Sequence, residues 1–152
     1  MRRFENKVVL LTGAGSGIGQ ATALRLDQEG ATLIIADINS QNLEQTRKML
    51  TNGNSSSMVL DISSIEDSKR CFADIKKSYK KLDALINVAG ILRFDNSHEV
   101  KIENWNKILE VNLTGTFFMC NYGIPMLLES KGSIVNVSST AALGSHAWTA
   151  AY

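Results

Sequence analysis

Short runs of apolar residues alternate along the chain with longer segments in which apolar residues recur every three or four positions. The short runs are rich in Val, Ile and Leu, which is the composition of strands that are buried on both faces. We predict five such strands, at residues 8–11, 32–36, 58–60, 84–88 and 133–137. Strands that alternate with helices in this way form a parallel sheet with crossover helices. The pattern therefore predicts an α/β fold.

Four segments between or after these strands carry the helical period. The first ends at Gly30, and the second spans residues 40–50 and is followed by a turn-rich stretch at 52–57. The third covers residues 65–79, where Ser63 or Ser64 can cap it. The fourth is unusually long, at 103–128, and contains Pro125, which should kink it or mark its last turn.

Composition and charge narrow the class of protein. The 152 residues are 44% hydrophobic and 20% charged, which is typical of one soluble domain or part of one. Sixteen basic and fifteen acidic residues create no large field for nucleic acid or an anionic membrane, and no apolar stretch reaches membrane-spanning length. We therefore expect a cytoplasmic protein without nucleic-acid or membrane partners. Cys71 and Cys120 lack metal-ligand spacing, so we expect free thiols and no metal site.

A glycine-rich loop follows the first strand, where residues 12–19 read Thr-Gly-Ala-Gly-Ser-Gly-Ile-Gly. A loop that leaves a strand and opens a helix presents unpaired N–H groups and the positive end of the helix dipole, a suitable site for a pyrophosphate. The spacing fits G-x-x-x-G-x-G. We predict that Gly13 makes the tight turn, Gly17 admits the phosphates and Gly19 lets the helix pack on the sheet. The alternative is a plain glycine-rich turn.

Asp37 closes the second predicted strand, eighteen residues after Gly19. A carboxylate there can accept hydrogen bonds from the adenosine ribose and repels a 2′-phosphate by roughly a few kcal/mol. The positions where a basic residue usually holds that phosphate are Ser16, Ile38 and Asn39. The site therefore favours NAD over NADP. The alternative is an aspartate that only ends a strand.

Further motifs follow the glycine loop in order, namely Asp61-Ile62, Asn87-Val88-Ala89-Gly90, Val111-Asn112-Leu113, Ser138-Ser139 and Tyr152. With this ordered set, the sequence resembles the short-chain dehydrogenase/reductase family over all 152 residues. The resemblance implies a Rossmann-like doubly wound parallel sheet and a homodimer or homotetramer. It implies that the glycine loop binds the cofactor together with Ser16 and Ile18. It also places Asp61 and Ile62 against the adenine ring. The segment Asn87-Val88-Ala89-Gly90 would lie under the adenosine ribose, with Asn87, Ala89 and Gly90 as the cofactor-binding residues and Asn87 also steadying the central strand.

The resemblance also implies a catalytic set at Asn112, Ser139 and Tyr152. Tyr152 is the general acid or base, and Ser139, thirteen residues earlier, holds the substrate oxygen. Asn112 helps to hold a water that relays protons from a lysine, which in the family stands four residues after the tyrosine. Such a cation is needed because a phenol with a pKa of about 10 is a poor base at neutral pH. Asn112 could instead be a buried asparagine satisfied by backbone.

The sequence ends at Tyr152, so we interpret residues 1–152 as the dinucleotide-binding domain of a longer enzyme, with the sheet truncated after its fifth strand. The expected function is NAD-dependent hydride transfer between the nicotinamide and a small secondary alcohol or ketone. Two alternatives stay open. One is a 3-oxoacyl carrier-protein reductase, against which Asp37 counts because such enzymes usually take NADPH. The other is a dinucleotide-binding fragment without turnover.

Overall fold

One five-stranded parallel sheet forms the centre of the protein. We describe a computed structural model that covers residues 2–152. The strands are β1 (Val8–Thr12), β2 (Thr32–Asp37), β3 (Ser55–Val59), β4 (Ala84–Asn87) and β5 (Ser133–Asn136). Their order in the sheet is β3-β2-β1-β4-β5, and each neighbouring pair is parallel. The predicted Rossmann-like α/β fold is confirmed.

Helices cover both faces of this sheet. They are α1 (Gly17–Gln28), α2 (Ser40–Met49), α3 (Ile65–Tyr79), α4 (Ile102–Leu109) and α5 (Thr116–Ser130). Helix α1 is followed by Gly30 in the left-handed region at φ +89°, the residue predicted to end it. Ser64 caps α3, because its side chain accepts a hydrogen bond from the N–H of Asp67 at 3.1 Å.

Consecutive residues of β1 pack into two separate cores. Val9 and Leu11 belong to a cluster with residues of β2, α1 and α2, whereas Leu10 belongs to a cluster with residues of α3 and α5. Every residue of β1 is buried. The unbroken apolar run at the start of the sequence therefore follows from a central strand that helices cover on both faces.

The third strand begins earlier than predicted. Residues 55–57 were assigned to a turn, but the structure pairs Ser55 with Leu33 and Ser56 with Ile34. The serine hydroxyls have partners of their own, because Ser55 bonds to the Asp27 carboxylate at 3.3 Å and the Tyr79 hydroxyl donates to Ser56 at 2.7 Å. The serine side chains of this edge strand are stabilised by hydrogen bonds and not by apolar packing. The start of β3 therefore shows no hydrophobic periodicity, and the apolar pattern did not predict it.

The long fourth helix is not a uniform α-helix, contrary to the prediction. A π-helical segment, Glu110–Gly115, joins α4 to α5. Its last residue packs against the loop after β3, since a Cβ added to Gly115 would lie 2.9 Å from Cγ1 of Ile62. Pro125 lies inside α5, which continues to Ser130, so it does not mark the last turn. Single π turns are frequent near functional sites.

Both cysteines are free thiols in the structure. Cys71 is buried, and this burial raises the pKa of its thiol to about 12, so it is protonated and unreactive at neutral pH. Cys120 is half-buried. Within residues 2–152, no cluster of three or more His, Cys, Asp and Glu residues could hold a metal ion. No helix in the same range is both long and apolar enough to cross a bilayer.

Large apolar side chains are exposed on α5 and on the edge strand β5. Leu128 is 74% exposed, Phe117 is 61% exposed and Val135 is 52% exposed. Strand β5 pairs with β4 on one side and has no strand on its other side among the described residues. An unpaired edge beside apolar side chains favours association with other chains.

We therefore expect the 152-residue chain to self-associate in solution. Sedimentation velocity over a range of concentrations measures this, and Val135→Lys should reduce the association because a charge blocks an edge strand. Met49→Lys is the matched control, since Met49 is also apolar and 49% exposed but lies in helix α2 and not on an edge strand. A wild-type chain that stays monomeric at all concentrations would contradict the expectation.

Candidate functional site

A cavity of about 430 Å³ opens at the carboxyl ends of the strands, where the chain order reverses between β1 and β4. Ligands of open α/β sheets bind at such a reversal. The cavity brings together every residue predicted to bind the cofactor except Asn87. These wall residues are Gly13, Ser16, Gly17, Ile18, Gly19, Asp37, Asp61, Ile62, Ala89 and Gly90.

Two glycines of the loop adopt left-handed backbone conformations that only glycine takes without strain. Gly13 has φ +68°, and an added Cβ there would lie 2.6 Å from the backbone nitrogen of Ala89. Gly17 has φ +51°, and an added Cβ would meet no atom within 4 Å. Gly13 therefore makes a tight turn against the segment after β4, while Gly17 leaves open space on the cavity wall.

The other two glycines of the loop make contacts that the sequence analysis did not predict. A Cβ on Gly19 would lie 1.9 Å from the carbonyl oxygen of Gly13, so Gly19 packs against its own loop more closely than against the sheet. A Cβ on Gly15 would lie 2.9 Å from Cγ of Asp37. Gly13, Gly15 and Gly19 are thus each required by a different neighbour, whereas Gly17 is required by its backbone conformation.

The amino terminus of α1 is left without a side-chain cap. Ser16 occupies the capping position in an extended conformation, and its side chain makes no capping hydrogen bond. The first turn of α1 contains no acidic residue. The free N–H groups of this turn therefore remain available to an anion in the cavity, and the helix dipole favours negative charge there.

Two threonines hold the glycine loop in place. The buried Thr46 of α2 donates its hydroxyl hydrogen to the carbonyl of Ala14 at 3.0 Å and accepts a hydrogen bond from Gln20 at 2.9 Å. Thr12 accepts hydrogen bonds from the N–H groups of Val88 and Ala89, both at 3.3 Å. The role of Thr46 was missed, because it stands 32 residues from Ala14 and no local pattern marks it.

The Asp37 carboxylate is anchored at the end of β2. Its Oδ2 accepts a hydrogen bond from the N–H of Gly15 at 2.8 Å, and its Oδ1 accepts one from the N–H of Asn39 at 2.9 Å. Asn39 in turn caps α2, and Ile38 is 64% exposed. These bonds are those of an aspartate that ends a strand, the alternative interpretation of this residue. Each carboxylate oxygen can nevertheless accept a further hydrogen bond from a ribose hydroxyl.

Asn87 does not line the cavity. Its side-chain nitrogen donates to Oδ1 of Asn136 at 2.8 Å and lies 3.5 Å from Sγ of Cys120. Asn87 shares a face of β4 with Leu85, which packs in the core beneath α3 and α5. The structure therefore places Asn87 as a link between β4, β5 and α5, in keeping with the expectation that it steadies the central strand, while its contact with the cofactor stays a prediction.

A second cavity, of about 620 Å³, adjoins the first. The two cavities share the wall segment 88–91 and Ile18. The three predicted catalytic residues, Asn112, Ser139 and Tyr152, all line this second cavity. A ligand that extends past Gly90 would therefore pass from the glycine loop toward these side chains.

The polar groups of the second cavity differ in how far they are already bonded. Asn112, in the π segment, accepts a hydrogen bond from the N–H of Ile91 and donates one to the carbonyl of Ile91, both at 2.8 Å. Its side chain is thus bonded to backbone groups, as the alternative interpretation of this residue expected. Ser139 accepts a hydrogen bond from the N–H of Ala141 at 3.2 Å, which leaves its hydroxyl hydrogen free to donate. Tyr152 is 44% exposed.

The comparisons with known proteins agree with this arrangement. Residues 7–152 match the family model for short chain dehydrogenases. The chain is 34% identical over 150 residues to the meso-2,3-butanediol dehydrogenase of Serratia marcescens, covering 99% of this chain and 59% of the relative. It is 38% identical over 144 residues to the 3-oxoacyl-[acyl-carrier-protein] reductase FabG of Thermotoga maritima, covering 93% of this chain and 58% of the relative.

Solved structures share the fold over nearly the whole chain. NAD⁺-bound xylitol dehydrogenase superposes with a TM-score of 0.94 at 32% identity, over 99% of this chain and 59% of that one. A short chain dehydrogenase of Shigella flexneri complexed with NADP superposes with a TM-score of 0.92 at 28% identity, over 98% of this chain and 65% of that one. The chain thus spans less than two thirds of the length of these relatives.

Proposed function

The chain belongs to the short chain dehydrogenase family, and from this premise we propose that it serves NAD-dependent hydride transfer to or from a small secondary alcohol or ketone. The observation that carries the proposal is the pair of adjoining cavities. One joins the glycine loop to an uncapped helix terminus and Asp37, and the other joins Ser139 to Tyr152. Binding and chemistry thus have separate but continuous sites.

The residues of the first cavity fit a dinucleotide. Its volume is in the range of cofactor pockets, and the open space at Gly17 beside the free N–H groups of α1 suits a pyrophosphate. We assign the adenosine ribose to Asp37 and the adenine ring to the walls at Asp61 and Ile62. When bound, the nicotinamide accepts a hydride from an alcohol carbon or returns one to a ketone.

Proton transfer is assigned to the second cavity. The free hydroxyl hydrogen of Ser139 can donate to the substrate oxygen, and the Tyr152 phenol can take a proton from an alcohol or give one to a ketone. A nearby cation is needed to lower the pKa of the phenol toward neutrality. The family resemblance assigns this task to a lysine one helical turn after Tyr152, assisted by Asn112.

Asp37 supports NAD over NADP as the cofactor. A fixed carboxylate at the ribose position repels a 2′-phosphate, and Ser16, Ile38 and Asn39 supply no compensating cation. Relatives bind either cofactor, since xylitol dehydrogenase holds NAD⁺ and the Shigella flexneri protein holds NADP. The preference is therefore a property of this carboxylate and requires its own test.

The protein expressed from its complete gene should use NAD with a kcat/KM about 100-fold above that for NADP, as expected for a few kcal/mol of repulsion. Asp37→Asn should narrow this gap about tenfold or more, mainly by improving NADP, because it removes the charge but keeps an acceptor for Gly15. Asp37→Ala, which also loses the Gly15 anchor, is the comparison and should weaken both cofactors. Equal use of the two cofactors by the wild type would refute the assignment.

A 3-oxoacyl carrier-protein reductase is the second candidate, favoured by the identity to the Thermotoga maritima enzyme. Such an enzyme would reduce an acetoacetyl thioester with NADPH and ignore simple secondary alcohols, so one substrate panel with both cofactors separates the candidates. Binding of NAD without any turnover would identify a non-catalytic dinucleotide-binding module. We also propose, from the family resemblance, a cytoplasmic homodimer or homotetramer.

A further inference from the structure

Lys107 is the one basic residue among the described residues that line the first cavity. It lies in α4, and its side chain is 45% exposed. The ammonium is held between two partners, at 3.0 Å from Oε2 of Glu110 and 3.4 Å from Oγ of Ser63. The lysine therefore has a defined position in the cavity wall, near Asp61.

Ser63 connects this lysine to Asp61. The Ser63 hydroxyl donates to Oδ1 of Asp61 at 2.6 Å, and the Ser63 N–H donates to the same oxygen at 2.9 Å. Because a hydroxyl has one hydrogen, Ser63 must accept from Lys107 while it donates to Asp61. The hydrogen bonds therefore run in one direction, from Lys107 through Ser63 to Asp61.

This arrangement leaves the other oxygen of Asp61 free. Within residues 2–152, Oδ2 of Asp61 accepts no hydrogen bond from a side chain or backbone group, although Asp61 lines the cavity. Two donors fix Oδ1, so the orientation of the carboxylate is set before any ligand enters. A preoriented acceptor at this end of the cavity selects for a ligand that carries a donor.

The family resemblance places the adenine ring at Asp61, and we propose that Ser63 and Lys107 are positioning residues for that contact: they hold the Asp61 carboxylate so that its free oxygen meets the 6-amino group and disfavours a 6-oxopurine. The inference rests on the proposed function, because it assumes a dinucleotide whose base lies at Asp61. An amino group at C6 donates to the carboxylate, whereas an oxo group presents a second acceptor and is repelled. Lys107 also places a positive charge 3.4 Å from the Ser63 hydroxyl that bonds to Asp61.

The test compares the binding of NAD with that of nicotinamide hypoxanthine dinucleotide, which has an oxo group in place of the adenine amino group. Dissociation constants are measured by calorimetric titration on the protein expressed from its complete gene. The wild type should bind NAD about tenfold more tightly or better, the value of one hydrogen bond to a charged acceptor. Ser63→Ala should reduce that ratio to about threefold or less, since Asp61 loses one of its two anchors.

Two further variants and one control complete the design. Ser63→Thr keeps the hydroxyl and should restore the wild-type ratio. Lys107→Met should lower the ratio in the same direction as Ser63→Ala. Lys48→Met is the matched control, because Lys48 also lies on a helix near a glutamate, 4.0 Å from Glu44, but does not line the cavity. It should leave both dissociation constants unchanged.

The outcomes separate this inference from the function on which it rests. If the wild type binds NAD but does not discriminate against the hypoxanthine analogue, the positioning role is wrong and the proposed function stands. The same holds if Ser63→Ala and Lys107→Met weaken both ligands equally, which is the result expected of residues that only support the fold. If the wild type binds neither dinucleotide, the proposed function fails and this inference fails with it.

Discussion

Replacing Tyr152 with phenylalanine is expected to reduce kcat by about two to four orders of magnitude while the affinity for NAD stays nearly unchanged. The substitution removes the phenol oxygen to which we assign proton exchange with the substrate oxygen, and it keeps the ring. Loss of a group that acts in the transition state lowers kcat and leaves ground-state cofactor binding intact.

The structure makes this substitution a clean one. Tyr152 lines the second cavity and does not line the first cavity, to which we assign the dinucleotide. The backbone N–H of Tyr152 donates to the carbonyl of Thr149, whereas its phenol oxygen makes no hydrogen bond within residues 2–152. Removing the hydroxyl therefore breaks no contact of the described fold, and a change in rate can be assigned to chemistry.

The measurement is steady-state kinetics on the protein expressed from its complete gene, with NAD affinity determined separately by titration. Tyr122→Phe is the control, because Tyr122 lies in α5 and lines neither cavity. It should retain wild-type kcat. A Tyr152→Phe enzyme that keeps more than about a tenth of the wild-type rate would exclude Tyr152 as the proton-transfer group.

Gly19→Ala should have the second large effect, the loss of dinucleotide binding by about 100-fold or more together with a marked loss of stability. The new Cβ would lie 1.9 Å from the carbonyl oxygen of Gly13 and 2.6 Å from its carbonyl carbon. These are backbone atoms, so no side chain can rotate to make room. Gly13 cannot retreat either, because it already packs against the backbone of Ala89.

Either α1 or the loop must therefore move, and both contribute wall residues to the first cavity. Overpacking of this kind costs about 1–3 kcal/mol or more. Thermal unfolding followed by circular dichroism, with and without NAD, measures both effects. The Tm of Gly19→Ala should fall, and addition of NAD should no longer raise it.

Two other glycines provide graded controls. Gly17→Ala meets no atom within 4 Å but must adopt φ +51°, so it should cost about 1–2 kcal/mol and impair binding more than folding. Gly144→Ala meets no atom within 4 Å and has no positive φ, so it should behave like the wild type. Wild-type NAD affinity in Gly19→Ala would show that the loop does not hold the cofactor in the proposed way.

The sequence alone determined the class of the fold and the outline of the site. Strands buried on both faces leave unbroken apolar runs, and β1 and β2 were therefore predicted to within one residue at their ends. A loop that requires a left-handed backbone conformation leaves glycines in the sequence, and Asp37 ends β2 eighteen residues after Gly19. These features are local, because period and φ are properties of short segments.

Only the tertiary structure decided which polar groups meet across the site. Thr46 reaches Ala14 across 32 residues, and Lys107 reaches Ser63 across 44. Neither pair leaves a period or a motif in the sequence, since each depends on how α2 and α4 pack against loops from distant strands. The π segment that carries Asn112 also leaves no mark in the sequence pattern, and its last residue, Gly115, packs against Ile62 of a distant loop.

Asn87 shows the limit of a motif most directly. The sequence determined that it stands at the end of β4, next to residues that line the cavity. Which way its side chain faces was decided by the sheet, because strand geometry sends successive side chains to opposite faces and puts Asn87 on the side of Leu85 and α5. In this part of the chain, the cavity wall begins at Val88, the first residue after β4.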